Sequence, residues 1–180
     1  MMRLVIVALF LCLFFEAQAQ KYKSVEGKVR FFSEATLENI AADNAKASSV
    51  FDESNGNIVF SVPIKSFEFR KSLMQEHFNE NYLESDKYPN ATFQGNLIDF
   101  DKSKTSTQKA KAVGTMTIHG VSKKMEIEGD LNISENYIKI KSKFPISVAD
   151  FKIKIPKVVF YNIAEEVEVR VNFQYQPYAQ

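Results

Sequence analysis

Cysteine and tryptophan are almost absent from this chain, which has one Cys and no Trp in 180 residues. The lone Cys12 lies in an apolar N-terminal stretch, so the remaining chain has neither a disulfide nor a thiol nucleophile. Only two histidines, His77 and His119, are candidates for acid–base catalysis near neutral pH. Neither charge is in marked excess, because the net charge is +1, and this predicts no nucleic-acid partner.

The N-terminus has the pattern of a secretory signal peptide. Arg3 precedes about a dozen apolar residues at 4–15, and Ala17-Gln18-Ala19 follows as a cleavage site with small residues. The apolar stretch is too short to cross a bilayer comfortably, so no transmembrane segment is expected in the mature chain. We predict a signal peptide at 1–19 cleaved after Ala19, one domain at 20–180, and a periplasmic or secreted location.

Alternation of apolar and polar residues dominates the rest of the chain. In 165–175, Val, Phe and Tyr at odd positions alternate with charged and amide side chains, which is typical of a strand with one dry face. Residues 57–65 repeat this pattern, and the preceding Asn55-Gly56 predicts a hairpin turn. Further strands are predicted near 25–32, 45–52, 92–100, 110–118, 123–133 and 137–146.

A hairpin is also predicted around a turn at His119–Ser122. In the register that this turn gives, Met116 lies opposite Met125. Ile118 and Ile127 then share the apolar face with them, and a slip of one residue would turn these side chains to water.

Residues 71–83 break the alternation. Met74, Phe78 and Tyr82 recur at four-residue spacing, which predicts an amphipathic helix of about three turns. A second, shorter helical segment is predicted at 36–42. Eight or so strands with one short helical insertion favour a mainly β fold, a closed antiparallel barrel, because closure leaves no strand edge unpaired.

The inward faces of the predicted strands mix small and large side chains. The small ones are Ala45, Ala47, Gly95, Ala110, Ala112, Gly114 and Gly129, and the large ones beside them include Phe60, Phe93, Leu97, Met116 and Ile127. An eight-stranded barrel has room for its own side chains or for one small ligand. Small inward residues favour a ligand, but glycines also let strands bend, so a hollow and a filled barrel both stay open.

Few residues point to catalysis or to a metal. The sequence has no nucleophile elbow and no phosphate-binding glycine loop, so we do not predict an enzyme. His77 and Glu80 have the spacing of two ligands on one helix face, but a metal site needs three or four, and none is predicted. His119 lies at the predicted hairpin, where a role in the turn is favoured.

Two segments carry a resemblance to a known family. Residues 69–95, with Lys87-Tyr88-Pro89 and Ala91-Thr92-Phe93-Gln94-Gly95, resemble the helical insertion, the turn and the following strand of the YceI-like family. Residues 114–123, GTMTIHGVSK, resemble the hairpin of that family. One departure is Asp150-Phe151-Lys152-Ile153, where many members have glycine in place of the lysine.

The resemblance implies a lipocalin-like barrel outside the cytoplasm whose cavity holds a polyisoprenoid or a similar apolar lipid. No covalent cofactor is expected, and the bound ligand would be an isoprenoid lipid or a quinone. The residues predicted to bind it are Phe60, Val62, Met74, Phe78, Phe93, Leu97, Gly114, Met116, Ile118 and Ile127. The alternatives are a filled barrel that acts as an interaction module, or an enzyme that uses His77 or His119 on an apolar substrate.

Overall fold

The computed structural model describes residues 21–34, 39–134, 136–155 and 164–178. Its strands are β1 (Lys21–Ser33), β2 (Ile40–Asn44), β3 (Ser48–Asp52), β4 (Asn57–Pro63), β5 (Glu68–Phe69), β6 (Asn90–Ile98), β7 (Gln108–Ile118), β8 (Val121–Ile133), β9 (Ile138–Ser147) and β10 (Glu166–Tyr178). Helix α1 (Ser72–His77) continues into a π-helical turn at Phe78–Tyr82, and short 3₁₀ turns lie at Ile64–Ser66 and Ala149–Phe151. The predicted signal peptide lies outside the described residues.

Eight of these strands close an antiparallel barrel in the order β1, β3, β4, β6, β7, β8, β9, β10, and β10 pairs with β1. One edge of β1 is shared by two strands: its start, Lys21–Lys23, pairs with β3, and its end, Val29–Ser33, pairs with β2. Strand β5 in turn pairs with β2. The predicted mainly β barrel of about eight strands with one short helical insertion is therefore confirmed.

Strand β10 shows how the sequence alternation builds the wall. Phe173 and Tyr175 point inward and are fully buried, whereas Glu166, Arg170 and Asn172, which precede them at even positions, are exposed. Because alternate side chains of a strand project to opposite faces, a single register places Val169, Val171, Phe173 and Tyr175 on the core side together.

The β7–β8 hairpin differs from its predicted register by two residues. His119 and Gly120 both have positive φ, at 51° and 72°, and form a two-residue turn of the kind that suits tight hairpins. Met116 consequently lies opposite Lys123 and not opposite Met125. A slip of two residues keeps every side chain on its face, so the predicted apolar face is unchanged.

Two other expectations near the start of the barrel are wrong. Residues 40–42, the end of the predicted second helix, belong to β2, and 36–38 lie outside the described residues. Ala45 is exposed in the connection between β2 and β3, so it does not face the barrel interior, although Ala47 is buried.

The two ends of the barrel differ. One end is filled by buried side chains below the β3–β4 hairpin: Tyr22, Phe51, Ile133, Ile138 and Tyr175. The hydroxyl of Tyr175 lies 2.8 Å from the Oγ atom of Ser49, which itself donates to the carbonyl oxygen of Val59 at 2.8 Å. At the other end lie helix α1, the β7–β8 turn and the 3₁₀ turn at Ala149–Phe151. We call these the sealed end and the helix end.

Candidate functional site

A cavity of about 250 Å³ runs inside the barrel. A single water needs roughly 10–15 Å³ on the same measure, so this space is far larger than a packing defect. Its walls are almost wholly apolar and come from every barrel strand except β3, together with helix α1 and the residues before it. The barrel is therefore hollow, which resolves the alternative that the sequence pattern left open.

Nine of the ten residues predicted to bind a ligand line this cavity: Phe60, Val62, Met74, Phe78, Phe93, Leu97, Met116, Ile118 and Ile127. Ala110, Ala112 and Gly129, predicted as small inward residues, also line it. The geometry thus brings these residues together around one space, and ligand binding by them stays a prediction.

Gly114 is the exception, and it is not among the lining residues. It lies directly opposite Gly95 on β6. A Cβ atom at Gly114 would lie 2.6 Å from the Gly95 Cα and 2.8 Å from the Phe93 ring, closer than real Cβ atoms approach. The glycine pair therefore lets β6 and β7 approach and leaves room for the Phe93 ring, and a larger side chain here would distort the sheet before it filled the cavity.

Helix α1 and the π-helical turn that continues it together cover the helix end, so the helical insertion predicted at 71–83 is shorter as an α-helix than expected but presents the predicted apolar face. Met74, Phe78 and Tyr82 all line the cavity, and Tyr82 is 9% exposed. The helix begins after Lys71, which makes no side-chain capping bond, so packing of its apolar face does more to hold it than capping does. Burial also raises the pKa of the Tyr82 phenol.

An aromatic cluster of Phe31, Phe67, Phe69 and Phe78 fixes the helix to the barrel. Phe78 stacks on Phe31 with ring centroids 5.4 Å apart, and the rings of Phe67 and Phe69 lie 5.5 and 5.0 Å from it. The three partners of Phe78 also line the cavity. Sequence reasoning missed them, although Phe67 and Phe69 have the period-2 spacing of one strand face.

The wall formed by β9 and β10 was also missed as a binding surface. Val167, Val169, Val171 and Phe173 of β10 line the cavity, and the Phe173 ring meets that of Phe60 from the predicted set with centroids 4.9 Å apart. Their alternation predicted an inward face, but only the closure of β10 onto β1 shows that this face borders the cavity.

His119 has a structural role at the helix end. Its Nε2 atom lies 2.7 Å from Glu84 Oε2, and its Nδ1 atom lies 3.3 Å from the carbonyl oxygen of Phe151. The Tyr88 ring packs edge-on against the imidazole with centroids 4.7 Å apart. Both ring nitrogens are thus occupied, and the two segments that carry the family resemblance meet at this contact.

His77 lies on the cavity wall and is half-buried. Within the described ranges, no group of three His, Cys, Asp or Glu side chains is placed to hold a metal ion. Nearby, the buried Oδ1 atom of Asn79 has no hydrogen-bond partner among the described residues, while its Nδ2 donates to the Gln75 carbonyl.

Lys152 occupies the position where many members of the resembled family have glycine. Its φ is 55°, in the left-handed region. The Ile153 N–H donates to the carbonyl oxygen of Val148, and the Lys152 N–H donates to that of Ala149, which together form a helix-ending Schellman motif. The backbone thus keeps the conformation that glycine favours, with a lysine in place.

A search for membrane-spanning helices gave no candidate among the described residues, since none of those helices combines the length and apolar character that crossing requires.

Comparison with known proteins identifies relatives of this chain. The family model described as the YceI-like domain matches residues 12–175. A search of the curated proteins found no match.

Three similar solved structures share the fold. A polyisoprenoid-binding domain from Saccharophagus degradans, implicated in plant cell wall breakdown, is 14% identical, with a TM-score of 0.76 over 87% of this chain and 98% of that chain. BcnA of Burkholderia cenocepacia is 17% identical, with a TM-score of 0.69 over 82% and 95%. The YceI protein of Campylobacter jejuni is 18% identical, with a TM-score of 0.63 over 82% and 90%.

Proposed function

The chain belongs to the YceI-like family, and from this premise we propose that it is an extracytoplasmic binding protein that carries a polyisoprenoid or similar apolar lipid. The observation that carries the proposal is the apolar cavity of about 250 Å³ inside the closed barrel. The similar domain from Saccharophagus degradans binds polyisoprenoid, which supports this class of ligand.

The physical basis of binding is loss of apolar surface from water. Each Å² of apolar surface removed from water contributes roughly 25 cal/mol, before the costs of ordering the ligand are deducted. An isoprenoid tail presents only apolar surface, and the cavity walls are almost wholly apolar. The one carboxylate among the lining residues, Asp130, is paired with Lys109 at 2.7 Å. No bond needs to be made or broken, and His119, with both nitrogens occupied, serves as a structural residue.

Organic extraction of the purified protein followed by lipid mass spectrometry tests the proposal. We expect the wild type to yield an apolar lipid, and Ala112→Leu to yield far less, because Ala112 lines the cavity. Val113→Leu is the matched control, since the adjacent Val113 faces outward and is 38% exposed. An empty wild-type protein that also fails to bind added prenols or fatty acids would overturn the proposal.

The extracytoplasmic location in the proposal rests on the signal peptide predicted at 1–19. N-terminal analysis of the exported protein should give a chain that begins at Gln20. A mature protein that retains Cys12 with an attached lipid would contradict cleavage after Ala19.

A further inference from the structure

The cavity stops at a definite level inside the barrel. In the row formed by paired strands β10, β9 and β8, Phe173 lies opposite Ile140, and Ile140 lies opposite Leu131. All three line the cavity. The next row toward the sealed end consists of Tyr175, Ile138 and Ile133. None of these lines the cavity, and all are buried.

The ring of Phe173 crosses the barrel at this level. Phe173 is fully buried and lies opposite Gly27 of β1. A Cβ atom at Gly27 would lie 2.6 Å from Cε1 of Phe173, so the glycine makes space for the ring. On the far side, the ring meets Phe60 of β4 edge-on, with centroids 4.9 Å apart. The ring therefore reaches from β10, over β1, to β4.

The layer beneath this ring is fixed. The ring centroids of Phe173 and Tyr175 lie 6.2 Å apart, and the Tyr175 hydroxyl is bonded to Ser49. The backbone N–H of Ser49 donates to the Oγ atom of Ser24 at 2.8 Å. On the side toward the sealed end, Phe173 thus packs against Tyr175, which is itself tied to β3 and, through Ser49, to β1. The ring has buried side chains, and no lining residue of the cavity, in the next row on that side.

We propose that Phe173 is a specificity-determining residue that limits how long an apolar tail the cavity accepts. The inference rests on the proposed function, since it assumes that the tail enters from the helix end. A tail that reaches Phe173 fills the cavity, and any further isoprene unit must stay outside, where it gains no contact with the walls. Affinity should therefore rise with tail length to an optimum and then stop rising.

The test is to titrate linear prenols of two to six isoprene units, starting from geraniol, into purified protein from which any copurifying lipid has been removed. The affinity for each prenol gives the optimal tail length. Phe173→Leu and Phe173→Ala should move the optimum to longer prenols and increase affinity for the first prenol beyond the wild-type optimum by about tenfold or more. Ala110→Leu, which enlarges a buried lining residue in the row above, should move the optimum to shorter prenols. Phe151→Leu is the control for a lost buried ring, because Phe151 is 2% exposed but does not line the cavity.

The outcomes separate the two proposals. An unchanged optimum in folded Phe173→Leu, or a wild-type affinity that continues to rise with every added unit, overturns the role of Phe173 while binding stands. If the wild type binds no prenol and no fatty acid of any length, the proposed function itself fails. Phe173→Leu removes little volume and keeps an apolar side chain, so the test does not depend on the folding of the alanine variant.

Discussion

The Nε2 atom of His119 lies 2.7 Å from the Oε2 atom of Glu84, and this contact joins the β7–β8 turn to the loop after the helical insertion. His119 also bonds to the carbonyl oxygen of Phe151, so a single imidazole ties together three separate chain segments at the helix end. The side chain of His119 is only 14% exposed, which protects the contact from competition by water.

We expect His119→Asn and Glu84→Gln each to lower the free energy of unfolding by about 1–2 kcal/mol. The first removes the imidazole that contacts Glu84 and Phe151, and the second replaces a charged acceptor with a neutral, weaker one. Asn tolerates the positive φ of the turn, so the change isolates the hydrogen bonds. A double-mutant cycle by urea unfolding should give a coupling energy of about 0.5–3 kcal/mol. Asp86→Asn is the control: its ion pair with Lys65 is exposed, and we expect a loss below about 1 kcal/mol. Strictly additive effects of the first two changes would contradict the contact.

At Gly114 we expect even a small side chain to destabilise the barrel. Gly114→Ala places a Cβ atom against the Gly95 backbone and should lower the free energy of unfolding by about 1–3 kcal/mol, as overpacking does. Urea unfolding measures this. Ala112→Leu, two residues along the same face but facing open space, should cost less. If Gly114→Ala were as stable as the wild type, the close pairing of β6 and β7 at this point would be wrong.

The left-handed conformation of Lys152 offers a stabilising substitution. A non-glycine residue with such a φ is disfavoured by roughly 1–2 kcal/mol, and a glycine removes this strain from the folded chain. Glycine also gives the unfolded chain more conformational entropy, which offsets part of the gain. We therefore expect Lys152→Gly to raise the free energy of unfolding by about 0.5–1 kcal/mol, measured by urea unfolding. Lys154→Gly is the control, since Lys154 is also exposed but has no positive φ, and it should not stabilise.

Stability should fall at alkaline pH because of Tyr175. Burial raises the pKa of its phenol well above the ordinary value near 10, so the folded chain keeps the proton after the unfolded chain has lost it. The stabilisation is complete below about pH 10 and decreases as the pH rises beyond it. Burial raises the pKa values of Tyr22 and Tyr82 in the same direction.

Tyr175→Phe should make this alkaline decrease shallower in urea unfolding from about pH 8 to about pH 11. At neutral pH the same variant should lose about 1 kcal/mol, because the hydrogen bond to Ser49 is removed. An alkaline slope identical to that of the wild type would show that Tyr175 ionises equally in both states.

Much of this architecture was predictable because strand faces follow from alternation within a segment. The inward face of β10 and the lining role of Met74 and Phe78 needed only local spacing. The register of the β7–β8 hairpin was wrong by two residues because a shift of two leaves the faces unchanged, so burial alone does not select it. The role of Gly114 depends on the distance to Gly95 in another strand, which no local pattern encodes.

Substitution of Phe78 tests whether the aromatic cluster holds the helical insertion over the cavity at the helix end. Phe78→Asp would bring a carboxylate among Phe31, Phe67 and Phe69 and remove the ring that all three contact. We expect a loss of several kcal/mol in the free energy of unfolding, since a buried charge without a partner is costly. Leu73→Asp in helix α1 is the matched control for this position in the following π-helical turn. Leu73 is 57% exposed, and its replacement should change stability by less than about 0.5 kcal/mol. Thermal and urea unfolding of both variants distinguish the two faces. Equal stability of Phe78→Asp and Leu73→Asp would mean that the aromatic cluster does not hold the helix on the barrel.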